Sequence, residues 1–200
     1  MPAHRIRLPL LMVLLLITGS ASAAPTVDDL LARLAPADGV IASAYVQTRE
    51  SGLLTETVTT EGELHYASPG KLEKTEIDAD GERTVRIADA TVHIEGPEET
   101  RRFPLSRSRQ LQALMALLEA FATGDADLLR EHFSAELATA DDDWRLRLQT
   151  REEQQSGNRP SQASQPLRVE VRGSADGVRE ILLASPQGGR LRLELDEAEG

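Results

Sequence analysis

The sequence lacks several features that would point to catalysis or to disulfide stabilisation. It contains no cysteine, one tryptophan, two tyrosines and three phenylalanines among 200 residues. The absence of cysteine excludes disulfides, thiolate chemistry and a lipid-modified N-terminal cysteine. With so few aromatic residues, the core must be mostly aliphatic, and surfaces that stack nucleic-acid bases are not expected. The chain also lacks a G-x-S-x-G elbow and an H-E-x-x-H zinc motif, so we predict no catalytic residue, metal or cofactor.

The N-terminal 23 residues have the pattern of a secretory signal peptide. Basic residues precede an apolar run from Leu8 to Ile17, and Ala21 and Ala23 form the A-x-A site that signal peptidase reads. The run is much shorter than the roughly 20 residues that span a bilayer, so a membrane-spanning segment is not predicted. We expect cleavage after Ala23, a periplasmic location, and one domain over residues 24–200.

The predicted mature chain is strongly acidic. The full sequence has 22 basic and 33 acidic side chains, and loss of the leader removes Arg5 and Arg7 but no acid, which leaves a net charge of −13. Such a charge disfavours nucleic acid and anionic membrane surfaces as partners. The remaining length suits one domain with a sizeable core. We expect a monomer.

Alternating hydrophobicity predicts many short antiparallel strands. Between Leu54 and Tyr66 apolar residues occupy even positions while the odd positions are polar, and the alternation recurs over Trp144–Leu148 and Leu167–Arg172. Strands buried on both faces would read as continuous apolar runs, so the pattern predicts a sheet covered on one side. We count about ten strands, a number at which a twisted open sheet curls around an apolar concavity.

Helical spacing interrupts the strands in three places. Apolar residues recur at this spacing over Val27–Leu34, over Leu111–Ala122 before Gly124 and, after the N-cap residue Asp125, through Phe133. The two helices in the middle of the chain are expected to cover or plug the mouth of the concavity.

Several charged groups are candidates for separate sites. Asp78–Gly81 begins like a calcium loop, but the twelfth position is Asp89 instead of Glu, so a hairpin turn is favoured. The acidic run Asp141–Asp143 is interpreted as a solvated loop. A basic cluster near the helices is either a solvated charge run or a contact for an anionic head group; it contains Arg101, Arg102, Arg107 and Arg109.

A series of short motifs spans nearly the whole predicted mature chain. An aromatic-x-Gln strand at Tyr45–Gln47 is followed by a Gly-x-Leu-x-aromatic strand at Gly62–Tyr66 and by a Pro-led turn at Pro69–Leu72. A Trp-x-Leu-x-Leu strand follows at Trp144–Leu148. In this order and spacing the motifs resemble those of the LolA family, the periplasmic carriers of outer-membrane lipoproteins.

The resemblance implies a mainly β fold with helices, namely an incomplete antiparallel β-barrel of about ten to eleven strands with a helical lid. It implies an apolar cavity that holds the acyl chains of a lipoprotein or another lipid. It also implies two partners, an inner-membrane donor complex and an outer-membrane acceptor.

Three departures from the family pattern imply a different cargo or a differently gated cavity. Ser68 stands where typical carriers have an Arg that helps to fasten the lid, and Leu72 and Lys74 stand where they have aromatic residues. Asp89-Ala90 and the strand Val92–Ile94 replace an Asp-Gly turn and a Tyr- or Trp-rich strand. In these respects the chain resembles LolA-related proteins of aryl-polyene and glycolipid systems.

The inward-facing residues of the strands and of the second helix are the candidate ligand-binding residues. A cavity binds a lipid by removing methylenes from water, at about 0.8 kcal/mol each, although each of these positions also suits ordinary core. Met115 is the strongest candidate because its flexible thioether adapts to varied ligands. The predicted lining comprises Tyr45, Leu54, Val58, Leu64, Tyr66, Val85, Ile87, Leu111, Met115, Leu118, Leu146 and Leu148.

Three functions are compatible with these patterns. The leading prediction is a periplasmic carrier that shields the tail of a lipoprotein, glycolipid or polyene lipid on its way to the outer membrane. The alternative is a lipid-sensing periplasmic adaptor that uses the same cavity and regulates a partner. An envelope enzyme would need a catalytic group assembled in space, which the sequence does not show, so we predict a non-enzyme.

Overall fold

A computed structural model describes residues 25–50, 57–79, 81–151, 166–184 and 189–196. The predicted leader, Leu54 and the loop predicted before Leu167 lie outside these ranges. The described residues form eleven strands, three α-helices and one 3-10 turn.

The helices are α1 (Val27–Leu34), α2 (Arg109–Thr123) and α3 (Ala126–His132), and the 3-10 turn covers Leu105–Arg107. The strands are β1 (Val40–Glu50), β2 (Thr57–Ala67), β3 (Lys71–Asp78), β4 (Gly81–Ala88), β5 (Thr91–Glu95), β6 (Thr100–Pro104), β7 (Phe133–Ala140), β8 (Asp143–Thr150), β9 (Arg168–Ser174), β10 (Gly177–Ala184) and β11 (Arg190–Leu195).

All eleven strands belong to one antiparallel sheet in the order β6-β5-β4-β3-β2-β1-β11-β10-β9-β8-β7. The first strand lies in the middle, between β2 and the last strand, β11. The sheet therefore has two arms, a first arm of β1–β6 and a second arm of β7–β11. Since β6 and β7 form the two edges and do not pair in the described structure, the barrel is incomplete. This confirms the predicted fold class.

One face of the sheet carries a row of apolar residues in each arm. In the second arm Leu146, Val171, Ile181 and Leu193 lie opposite one another on successive strands. In the first arm a similar row runs through Tyr66, Leu72, Ile87, Val92 and Phe103. Because side chains alternate along a strand, the residues between these positions face the other side and are mostly polar. We call the apolar side the concave face and the other side the outer face.

Helix α2 covers part of the concave face. It begins where the Ser108 hydroxyl accepts a hydrogen bond from the Leu111 N–H at 3.3 Å, and it ends at Gly124, whose φ of 73° suits a residue without a Cβ. Leu117 and Phe121 pack in a cluster with β7–β9, α1 and α3. Met115 and Leu118 pack against β2–β5. A single helix thus contacts both arms of the sheet.

Two strands and one helix boundary differ from the sequence-based prediction. Neither β6 nor β7 was predicted, and Phe133 was placed in a helix although it is the first residue of β7. Edge strands carry few inward apolar side chains, and Arg101 and Arg102 of β6 are both exposed, so the alternation is weak there. Phe133 is nevertheless 1% exposed, since its ring packs beneath α3.

Gly62 is required by packing within the sheet. Strand β2 continues through Gly62 without a break in its pairing with β1. A Cβ at this position would lie 1.9 Å from the Thr75 carbonyl oxygen and 2.6 Å from the Tyr45 hydroxyl. The glycine is therefore needed because the Tyr45 side chain passes directly over it.

Candidate functional site

The structure brings together seven of the predicted cavity residues, three on α2 and four on the strands that it covers. We call the buried group there the lid cluster; it consists of Tyr66, Leu72, Ile87, Val92, Met115, Leu118 and Ala122. Leu64, Val85 and Leu111 are partly buried and pack against it. The lid cluster is thus the place where a helix and the concave face of the first arm share apolar surface.

The other predicted residues lie outside the lid cluster. Leu146 and Leu148 belong to the second-arm cluster, where the three helices pack on β7–β9. Tyr45 is 2% exposed and lies further along the concave face, while Val58 at its margin is 49% exposed. Leu54 is not described. The predicted lining therefore falls into separate regions, and whether any of it holds a ligand stays a prediction.

Three members of the lid cluster, Leu72, Val92 and Ala122, are not among the predicted site residues. Leu72 is 4% exposed and lies between Tyr66 and Ile87, and Val92 is fully buried opposite Ile87. Both alternate with polar neighbours along short strands. The pairing register with the neighbouring strands would have identified both residues, because directly opposed residues share a face.

Helix α2 is fastened to the turn between β2 and β3 through Glu119. The Ser68 hydroxyl donates to Glu119 Oε1 at 2.6 Å and the Gly70 N–H donates to Glu119 Oε2 at 3.1 Å. The Tyr66 hydroxyl donates to the same carboxylate. The residue that replaces the family's Arg thus still contacts the lid, as a hydroxyl donor to a carboxylate of the helix.

The ionisation of this contact follows from its geometry. Partial burial raises the pKa of Glu119, but hydrogen bonds from Ser68, Tyr66 and Gly70 outweigh burial and leave the pKa below its ordinary value. Burial and the adjacent carboxylate both raise the pKa of the Tyr66 phenol. Glu119 is therefore charged at neutral pH, and the Tyr66 hydroxyl donates a hydrogen bond to its carboxylate.

A second polar group lies on the concave face further along the first arm. Lys74 Nζ donates to Gln47 Oε1 at 2.9 Å, forms an ion pair with Glu76, and lies 4.9 Å from the centre of the Tyr45 ring. The Gln47 amide donates to Thr60 Oγ1 at 3.3 Å. Gln47 and Thr60 are buried, and the Lys74 side chain is 16% exposed. From the sequence, Lys74 is recognisable only as a departure from the family pattern.

The outer face of the second arm carries ion pairs and two shallow grooves. Glu170 contacts Arg145, Arg147 and Arg172, and Glu180 contacts Arg172 and Arg192. The grooves, with volumes of about 570 Å³ and 690 Å³, are lined mainly by these charged strands. Of the predicted cavity residues, only Leu148 borders either groove.

The calcium-like segment of the sequence has a simple structural counterpart. Asp78 and Gly81 pair across the end of β3 and β4, so the calcium-like segment forms the favoured hairpin. Within the described ranges no group of three or more His, Asp or Glu side chains is placed to hold a metal ion. No helix in that part of the chain is long and apolar enough to cross a membrane.

Together these features define an incomplete antiparallel barrel whose apolar concave face is covered by a helical lid. The model of the family described as "Outer membrane lipoprotein carrier protein LolA-like" matches residues 19–192. The chain therefore belongs to the LolA-like family, whose members are described as lipoprotein carriers.

Solved structures of low sequence identity are similar to this chain. A LolA superfamily protein from Nitrosomonas europaea is 8% identical, with 86% of this chain and 92% of that chain covered and a TM-score of 0.43. A DUF1329 family protein from Desulfovibrio piger is 11% identical, with coverages of 85% and 90% and a TM-score of 0.43. The lipoprotein LppX from Mycobacterium tuberculosis is 8% identical, with coverages of 79% and 86% and a TM-score of 0.38. No curated protein matches the chain in sequence.

Proposed function

We propose that the protein is a periplasmic carrier that shields the hydrophobic tail of an amphiphile between helix α2 and the concave face of the sheet. The observation that carries this proposal is the lid cluster, in which Met115 and Leu118 of α2 pack against an apolar strand surface, with Leu64 and Val85 only partly buried at its border. Family membership supports the same function.

The energies involved allow reversible loading. Ten methylenes removed from water stabilise a bound chain by roughly 8 kcal/mol. The hydrogen bonds that fasten Glu119 hold the lid by about 2 kcal/mol in total, because a typical net hydrogen bond contributes about 1 kcal/mol. Binding of the acyl chain therefore offsets release of this contact, and the chain can leave again when an acceptor binds it more tightly.

The proposed cargo and route are supported by the predicted leader and by family membership. Residues 1–23 would direct export to the periplasm, and the cargo would be a lipoprotein, a glycolipid or a polyene lipid. An inner-membrane complex would load the carrier and an outer-membrane acceptor would unload it. The chemistry is physical transfer between apolar surfaces, and no catalytic group is required.

The test is uptake of a fluorescent fatty acid by the mature chain and by variants of α2. Met115→Glu places a charge inside the lid cluster and should lower uptake at least tenfold, because burial of an unpaired charge is strongly unfavourable. Gln112→Glu adds the same charge at an exposed position of α2 and should bind as the wild type does. Equal uptake by both variants, with circular dichroism unchanged, would contradict the proposal.

A second experiment separates a carrier from a sensor. Protein purified from the periplasm is extracted and its lipids are identified by mass spectrometry, and the loaded protein is then mixed with acceptor vesicles or outer-membrane fractions. A carrier releases a reproducible amphiphile to the acceptor. Retention of the lipid together with altered signalling on deletion would favour the sensor.

A further inference from the structure

The concave face of the first arm is not apolar along its whole length. On β3, Leu72, Lys74 and Glu76 alternate on this face, so the strand leads from the lid cluster into the polar group around Lys74. At about 3.4 Å per residue, Lys74 lies roughly 7 Å beyond Leu72 along the strand. An apolar surface and a polar surface are therefore adjacent along one strand.

Three cations from three strands meet at this position. Arg83 of β4 lies directly opposite Glu76, and Arg49 of β1 lies two residues beyond Gln47 on the same face. Burial lowers the pKa of Lys74 and the Glu76 carboxylate raises it, while Arg49 and Arg83 are near enough to lower it further. We call Arg49, Lys74, Glu76 and Arg83 the basic corner.

The charge of the basic corner is opposite in sign to that of the chain as a whole. Among the described residues of β1, β3 and β4, its three cations face one carboxylate, Glu76, and remain in excess even when Asp78, at the end of β3, is counted with them. The predicted mature chain as a whole carries a net charge of −13. A buried ion pair gives weak net stabilisation, and apolar residues of similar volume often replace one without loss. Stability alone therefore does not account for the Lys74–Glu76 ion pair on this side of the sheet.

We propose that the basic corner binds the anionic head group, a carboxylate or a phosphate, of the amphiphile whose tail lies against the lid cluster. This inference rests on the proposed carrier function and specifies its cargo as a negatively charged amphiphile. Arg49 and Arg83 are exposed and would meet the head group first, and Lys74 would hold it at the end of the apolar surface. The nearby Val58 is 49% exposed and offers apolar contact at the same margin.

The experiment compares dodecanoic acid, dodecyl phosphate and dodecanol, which share one tail, by isothermal titration of the mature chain. Arg83→Gln should weaken binding of both anions about fivefold and leave dodecanol unchanged within about twofold. The matched control is Arg86→Gln, because Arg86 lies on the outer face of the same strand, paired with Glu73 and Glu95, and its loss changes the net charge equally.

A second variant distinguishes binding from a structural role. Glu76→Gln removes the carboxylate that would repel an anion, so it should strengthen binding of dodecanoic acid about fivefold, which loss of a purely structural ion pair would not do. Lys74→Met should weaken binding of both anions, and thermal unfolding reports whether that variant folds. Equal anion affinities of the wild type, Arg83→Gln and Glu76→Gln would overturn the inference.

The outcomes separate the inference from the proposed function. If all three ligands bind equally and Arg83→Gln behaves like Arg86→Gln, the carrier function stands and the head-group site is wrong. If none of the three binds the wild type, the carrier function itself fails. If inorganic phosphate alone displaces dodecyl phosphate at comparable concentration, the corner is a site for free anions, which also overturns the head-group assignment.

Discussion

Replacement of Glu119 by alanine tests whether the lid is held as the structure shows. The change removes the acceptor of hydrogen bonds from Ser68, Tyr66 and Gly70. Tyr66 is fully buried, so its hydroxyl would lose an acceptor without gaining full access to water. The Gly70 N–H retains a partner, the Tyr66 oxygen at 3.2 Å.

The expected loss is about 2 kcal/mol, because a typical net hydrogen bond contributes about 1 kcal/mol and the stranded Tyr66 donor adds to it. In a chain of this size that loss lowers Tm by roughly 4–8 °C, which circular dichroism measures directly. The control is Glu131→Ala, which removes an exposed glutamate from α3. A Tm equal to that of this control would refute the fastening of the lid through Glu119.

The same contact predicts a pH dependence. The pKa of Glu119 is lower in the folded chain than its ordinary value of 4.5, so its stabilising contribution is complete above that value and is lost as pH falls through the folded pKa. The difference in Tm between the wild type and Glu119→Gln should therefore be constant at neutral pH and narrow below about pH 4.5. A difference that widens on acidification would contradict the assigned charge state.

Two further predictions concern the sheet. Gly62→Ala should destabilise the fold by more than about 3 kcal/mol in urea titration, because its Cβ would overlap the Thr75 carbonyl. The control, Gly96→Ala, should have a much smaller effect, because the nearest contact of its Cβ would be at 3.5 Å. Leu146→Ala should lower the free energy of unfolding by about 2–5 kcal/mol, since this side chain is fully buried, while Val58→Ala at the exposed margin should lower it by less than about 1 kcal/mol. Similar losses at both positions would contradict the assignment of the core.

The alternating pattern predicted the interior strands of the sheet, each of which pairs with two neighbouring strands. Trp144, Leu146 and Leu148 alternate with arginines, and the structure buries the first set and exposes the second. A strand between two others needs a complete apolar face, so its pattern is strong. Edge strands β6 and β7 need only part of such a face, which explains why alternation did not reveal them.

The candidate site was predictable only in part. Met115 and Leu118 followed from helical spacing, and the structure places both in the lid cluster. The Glu119 contact and the basic corner join residues far apart in the chain, for example Ser68 with Glu119 and Gln47 with Lys74. Periodicity reports which face a residue occupies but not which distant residue it meets, so register and curvature had to be known first.

The central claim is that a hydrocarbon tail lies against the lid cluster. Residues 24–200 contain one methionine, Met115, so labelling with carbon-13 methyl methionine gives a single methyl signal from α2. On addition of dodecanoic acid we predict that this signal shifts and shows nuclear Overhauser contacts to the acyl chain. Saturable binding that leaves the Met115 methyl signal unshifted and without such contacts would contradict the account.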